Sequence, residues 1–279
     1  MPLYTNLASL SQTAASNAAD GSVDAPSTID QQTNLLASFI AQLRDGVGFT
    51  GQLGFKNRMM NGNFAINQRA VSGTVTLAAG IYGHDRWKAG ASGCTYTFST
   101  SGLDTTINIS SGSLQQVIEG ANIEGGTYVM SWSGTSQGKI GAGSYSATGV
   151  TGSGTAGSNL TIEFNTGTFT KVQLEAGSSV SAFERRPISY ELQLCQRYYE
   201  TGQAEVSGYG QVSIDYANRV PYKVTKRVGP TVTYGVVSSV NATVIEMTSV
   251  DVNCGRIRVQ ALAVGGFIGA LSYTASAEL

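Results

Sequence analysis

The amino-acid sequence predicts a mainly β protein. Its 279 residues include 35 glycines, and serine and threonine recur throughout, a composition that suits many short strands joined by tight turns. Charged residues make up only 13%, about half the ~25% usual in soluble domains, which argues against a helical enzyme. Short apolar alternations recur as well. Tyr96 and Phe98 share one face of residues 95–99, and Leu160, Ile162 and Phe164 share one face of residues 160–164, the period of a half-buried strand. The predicted order is an arm, short helix and linker over residues 1–56, a β-sandwich body over 57–185, a connecting helix over 186–200 and a small β-sandwich over 201–279.

Residues 1–26 are small, polar and nearly uncharged, with no sustained period, and read as an arm that orders against a partner. A helix start follows: Ser27 or Thr28 can cap, and Asp30 or Gln31 can return the bond. The helix runs to about Asp45, with Gly46 as its left-handed terminator. Ile29, Leu36 and Leu43 recur at heptad spacing, with Phe39 between them and Ile40 widening the face. That face suits either packing on its own domain or a short coiled coil about an oligomer axis. Residues 46–56 form a glycine-rich linker.

The body opens with short apolar runs separated by Gly, Asn and Ser turns, and about eight antiparallel strands in two layers are expected. Val172 and Leu174 alternate with Gln173 and Glu175 in a strand that would close the sandwich. Pro187 biases Arg186 away from helical angles, so Phe183, Glu184, Arg185 and Arg186 should stay extended. The period then changes. Leu192, Cys195 and Tyr199 make a helical stripe over residues 191–200, widened by Leu194 and Tyr198. In the last domain Val212, Ile214 and Tyr216 alternate, residues 220–234 read as two strands about Gly229-Pro230, and Ile257, Val259 and Ala261 alternate with Arg256, Arg258 and Gln260. Residues 261–271 are apolar but shorter than the ~20 needed to span a bilayer, and read as a buried or intersubunit strand. A small sandwich of about five to seven strands results.

The order of several motifs resembles that of tailed-bacteriophage fibre and spike proteins. Val172-Gln173-Leu174-Glu175, Gly177, Phe183-Glu184, Arg186-Pro187, Glu191 and Leu194-Cys195-Gln196-Arg197-Tyr198-Tyr199 carry the strongest part. Asn57, Asn61-Gly62, Phe64, Gln68-Arg69, Tyr82 and Asp85-Arg86-Trp87 carry a second, and residues 114–120 and 128–132 a third. The resemblance spans residues 57–200, and Pro230-Thr231-Val232 and the final Ala277-Glu278-Leu279 extend it. It implies a jelly roll similar to carbohydrate-binding modules, attached to a virion and assembled in the host cytoplasm. It also implies a homotrimer anchored to another virion protein through residues 1–45, with adhesion to a host-surface glycan. The alternatives are a capsid-attached head fibre or decoration protein, and, in another class, a free carbohydrate-binding module.

Little in the sequence suggests catalysis, and the chain is expected not to be an enzyme and to need no cofactor or metal. Cys94, Cys195 and Cys254 are far apart and lack metal or redox spacing, so they read as buried thiols. A single histidine, His84 beside Asp85, comes with no nucleophile elbow. Gly152, Gly154 and Gly157 match GxGxxG formally, but a strand follows them where a phosphate loop needs a helix. Asp85, Glu119, Glu124, Glu163, Glu175 and Glu184 could supply the carboxylate pair of a glycosidase, but nothing in the sequence pairs them. A net charge of −1 gives no field for nucleic acid or an anionic membrane. The N-terminus lacks the basic and apolar regions of a secretory leader, so neither export nor membrane insertion is expected.

The structural junction is assigned to Asp85, Arg86, Trp87, Glu184, Arg185, Arg186, Cys195 and Tyr199. Trp87 and Trp132 should fill the core, and Arg86 should pair with Asp85, Glu119 or Glu184. The candidate receptor contacts are Tyr209, Tyr216, Tyr222, Tyr234 and Tyr273, whose rings can stack on sugars while their hydroxyls hydrogen-bond.

Overall fold

The computed structural model describes Leu36 and residues 55–279. The chain divides into two units, Met1–Phe55 and Lys56–Leu279. In the first, Leu36 is α-helical and exposed. The expectations for the arm and for Ile29, Phe39, Ile40 and Leu43 lie outside the described residues.

The second unit is mainly β, and every strand pair described is antiparallel. Its first eight strands are β1 (Val75–Leu77), β2 (Lys88–Ser101), β3 (Asp104–Ile118), β4 (Gly126–Gly134), β5 (Gly138–Ile140), β6 (Val150–Gly154), β7 (Leu160–Phe164) and β8 (Gly167–Ala176). β2 and β3 form a long hairpin with Ser101 opposite Asp104. Gly102 makes the turn at φ +61°, a region that favours glycine.

β3 decides the layering. Along one edge it pairs with β2; along the other, residues 107–109 pair with β8 and residues 114–118 with β7. The sheet therefore forks into a β8–β4–β6 branch and a β7–β5 branch. Register shifts in β2 between Ala89 and Cys94 and between Thr95 and Tyr96 let the hairpin bend, as strands that serve two layers must. Between the branches lies an apolar core that includes Trp87, Tyr96, Trp132, Phe164 and Phe169. The rings of Phe164 and Phe169 stack with centroids 4.3 Å apart. Both indole N–H groups are satisfied, Trp87 donating to the Asn61 carbonyl and Trp132 to that of Ser136. β8, which carries residues 171–175, lies between β3 and β4 rather than at an edge.

The connecting helix, α1, spans Ile188–Gln196 rather than residues 191–200. Pro187 stands at its N-cap, and its carbonyl receives the amides of Tyr190 and Glu191. Tyr199 is not on the helix. Its backbone pairs with Ser276 in a strand that begins at that residue, so ladder pairing overrides the helical period. The buried helical face is Glu191, Cys195 and Gln196, and Leu192 and Leu194 are only half-buried.

Six strands follow: β9 (Tyr199–Gly210), β10 (Asp215–Pro221), β11 (Thr231–Val240), β12 (Ala242–Ser249), β13 (Cys254–Ala261) and β14 (Gly265–Ser276). They form two three-stranded sheets, β10-β13-β12 and β11-β14-β9, with a second apolar core drawn from both. Two local expectations change. Val212 and Ile214 are exposed residues of the β9–β10 connection, because β10 begins only at Asp215. The apolar run 261–271 is not one strand, since it ends β13, passes between the sheets and enters β14.

Candidate functional site

Residues 84–86 form the bend and turn between Tyr82 and Lys88, which bridge each other. Arg86 sits there at φ +70°, an unusual angle for a side-chain-bearing residue, and Trp87 drops into the core. The Asp85 carboxylate accepts the backbone amide of Gln68 at 2.6 Å and its side-chain amide at 2.7 Å, and lies 3.8 Å from Arg69. Burial pushes the Asp85 pKa up, partly opposed by these bonds and by Arg69.

Arg86 pairs with none of its three expected partners. Its guanidinium pairs with Glu278, donates to the Val117 carbonyl at 2.7 Å, and stacks 3.6 Å from the centroid of Tyr198. Arg69 repeats the arrangement, stacking 3.7 Å from the Tyr199 centroid and reaching the other Glu278 oxygen at 3.0 Å. Glu119 receives the Tyr198 hydroxyl at 2.7 Å and faces Arg197. Leu279 accepts bonds from Tyr82 and Lys88 through its carbonyl oxygen. Residues from the first sandwich, from the end of the helix and from beyond the last strand thus meet in one polar cluster.

A second cluster surrounds Glu184 and Arg186. Glu184 accepts the Asn57 amide at 2.7 Å, and its own amide donates to Gln173 at 2.6 Å. Arg186 donates to the carbonyls of Asn57 and Met59 and lies 3.3 Å from Glu191, which in turn accepts the Asn61 amide. Arg185 turns outward to Asp104 at 2.7 Å. The glycine of the Asn61-Gly62 pair has a steric reason: a Cβ at Gly62 would run into the Val172 carbonyl.

The chemistry-bearing side chains serve this framework. Burial pushes the Cys94 thiol up to about 12 and Cys195 well above its ordinary range, so both are poor nucleophiles. His84 is buried, lies 3.0 Å from the Tyr96 hydroxyl, and is held down to about 4 by burial. The remaining candidate carboxylates are separately engaged: Glu124 by Arg58, Glu163 by Lys139 and Ser113, and Glu175 by Ser181. Among the described residues, no group of three or more His, Cys, Asp and Glu is placed to hold a metal ion.

The five tyrosines do not form one surface. Tyr222 and Tyr273 are core residues, 7% and 5% exposed, contrary to the expected receptor role. Tyr273 points inward because alternation along β14 buries it, and its hydroxyl donates to Glu200 at 3.0 Å. Tyr216 is half-buried against Phe267. Tyr209 and Tyr234 are exposed.

The far end of the second sandwich has a different character. Its connections hydrogen-bond to one another: Ser213 to the Ala261 carbonyl, Leu262 to that of Asn241, and the Asn241 amide to those of Ala263 and Gly266. Tyr209, Val212, Val240, Leu262 and Val264 are exposed there, and residues 206–214, 231–245 and 259–277 contain no charged side chain.

The sequence reading missed a groove in the body, of about 640 Å³, between the tip of the β2–β3 hairpin and the extended corner before α1. Phe98, Leu103 and Phe183 supply apolar walls, and Asn63, Asn67 and Thr100 are among its polar lining. The signal was divided between residues 98–105 and 183–191, which are remote in sequence. No family model, curated protein or solved structure matches the chain.

Proposed function

We propose that this chain is a structural protein of a bacteriophage particle, a tail fibre or spike. It is held to the particle through residues 1–45 and contributes to adhesion at the host surface. It acts as a homotrimer, without catalysis, and gains strength from many weak contacts at high effective concentration. One observation carries the reading. The residues by which the chain resembles such proteins, from Gln68-Arg69 and Asp85-Arg86 to Tyr198-Tyr199 and Glu278, converge on the cluster that joins the two sandwiches. A fibre must transmit load between its parts, and a buried junction of stacked, ion-paired arginines suits that task. The charge-free apolar end of the second sandwich fits a protein that works in an assembly.

The test is to label the protein in purified particles with gold-conjugated antibody and to measure the mass of the free protein by light scattering. Label on tail fibres and a mass of three chains are expected, and deletion of residues 1–45 should abolish incorporation. Label on the head would assign the head-fibre or decoration alternative. Absence from particles, or a monomeric mass, would reject the reading.

A further inference from the structure

The geometry points to the groove between the β2–β3 hairpin and residues 183–191 as a binding site for a short neutral saccharide. It places the glycan in the body rather than on the tyrosines of the second sandwich. This deepens the adhesion reading and rests on it for biological use, but the binding chemistry stands apart and can fail separately.

Size is the first argument. About 640 Å³ lies within the range of sites for small ligands, roughly 300–1,000 Å³. The walls are the second. Phe98 and Phe183 are half-buried rings, which can cover the C–H faces of a sugar. Phe98 is held in place by the edge-to-face contact with His84, centroids 4.6 Å apart, so one wall is pre-formed.

Charge is the third argument, and it selects neutral over acidic ligands. The ionised groups that line the groove are Glu184, Arg185, Arg186 and Glu191, two of each sign. Arg185 is taken by Asp104, and Arg186 by Glu191 and Glu184. No cation is left uncompensated for a carboxylate or phosphate. Hydrogen-bonding capacity remains, however. Asn63 and Thr100 in the lining can meet ligand hydroxyls.

The experiment uses the full-length protein on a printed array of neutral oligosaccharides of two to four units, with uronate-bearing counterparts beside them. Calorimetry on the best neutral binder follows. Binding to neutral members is expected, with affinity lowered about tenfold or more by Phe183→Ala and by Leu103→Glu. Leu103 is 71% exposed on the hairpin turn, so its substitution should leave folding intact, and thermal melting would verify this for both variants. No binding across the array, preference for the uronates, or undiminished binding by a folded Leu103→Glu protein would each overturn the proposal. None of these outcomes depends on whether the protein is found on a particle.

Discussion

Arg86 and Glu278 stand 192 positions apart in the chain and form a buried ion pair, with side chains 1% and 7% exposed. The turn that presents Arg86 holds it at φ +70°, a conformation that costs roughly 1–3 kcal/mol and persists only where the surroundings enforce it. Stacking on Tyr198, the bond to Val117 and the Glu278 carboxylate provide that enforcement. The first and last parts of the Lys56–Leu279 unit are thereby fixed to each other.

Glu278→Gln should therefore be far more damaging than its place near the end of the chain suggests. It leaves the guanidinium of Arg86 buried without its counter-charge and also strips Arg69 of a partner. A loss of about 3–5 kcal/mol is expected in urea unfolding. Adding Arg86→Met to Glu278→Gln should destabilise less than the sum of the two single changes, and strict additivity would show that the pair is not coupled.

A second buried pair anchors the end of α1. Lys226 and Glu200 approach to 2.6 Å with both side chains fully buried, and Glu200 also accepts the Tyr273 hydroxyl and the Lys223 amide. Burial pulls the Lys226 pKa down, while Glu200 opposes the shift. Lys226→Met leaves a carboxylate stranded and should cost about 3–5 kcal/mol by chemical denaturation. Lys226→Met with Glu200→Gln should recover part of it. A single-variant loss below ~1 kcal/mol would mean that the pair is open to water.

His84 should give the protein a pH dependence above the carboxylate range. Its pKa is about 4 in the folded chain against 6.5 when unperturbed. The unfolded state therefore binds a proton first as pH falls. The His84 contribution is complete above about pH 6.5 and is lost progressively down to about pH 4, on the order of 3 kcal/mol in all. Urea midpoints measured between these limits should fall with pH in the wild type and less steeply in His84→Gln. Parallel profiles would show that His84 takes up its proton over the same pH range in the folded and unfolded states, and would reject the shift.

The mainly β class, the strand at Leu160–Phe164 and the burial of Trp87 and Trp132 were legible in the sequence, because period and composition are local properties. The same local rules misplaced the helix. Leu192, Cys195 and Tyr199 have helical spacing, but Tyr199 and Glu200 gain backbone partners in Ser276 and Ala275, and that ladder ends the helix early. No window around residue 199 contains this information. Tyr273 was misread for a related reason, since a tyrosine with a buried carboxylate beside its hydroxyl can lie in a core at little cost.

The sequence by itself determined that this chain builds short antiparallel strands around apolar cores, and where its turns and thiols fall. Only the tertiary structure decided which strands share the edge of β3, that Arg86 meets Glu278 rather than Asp85, Glu119 or Glu184, and that two remote segments enclose a groove. The physical reason is range. Alternation and turn propensity act within a few residues, whereas the partner of a buried charge is chosen by whatever distant group folding brings within a few ångströms.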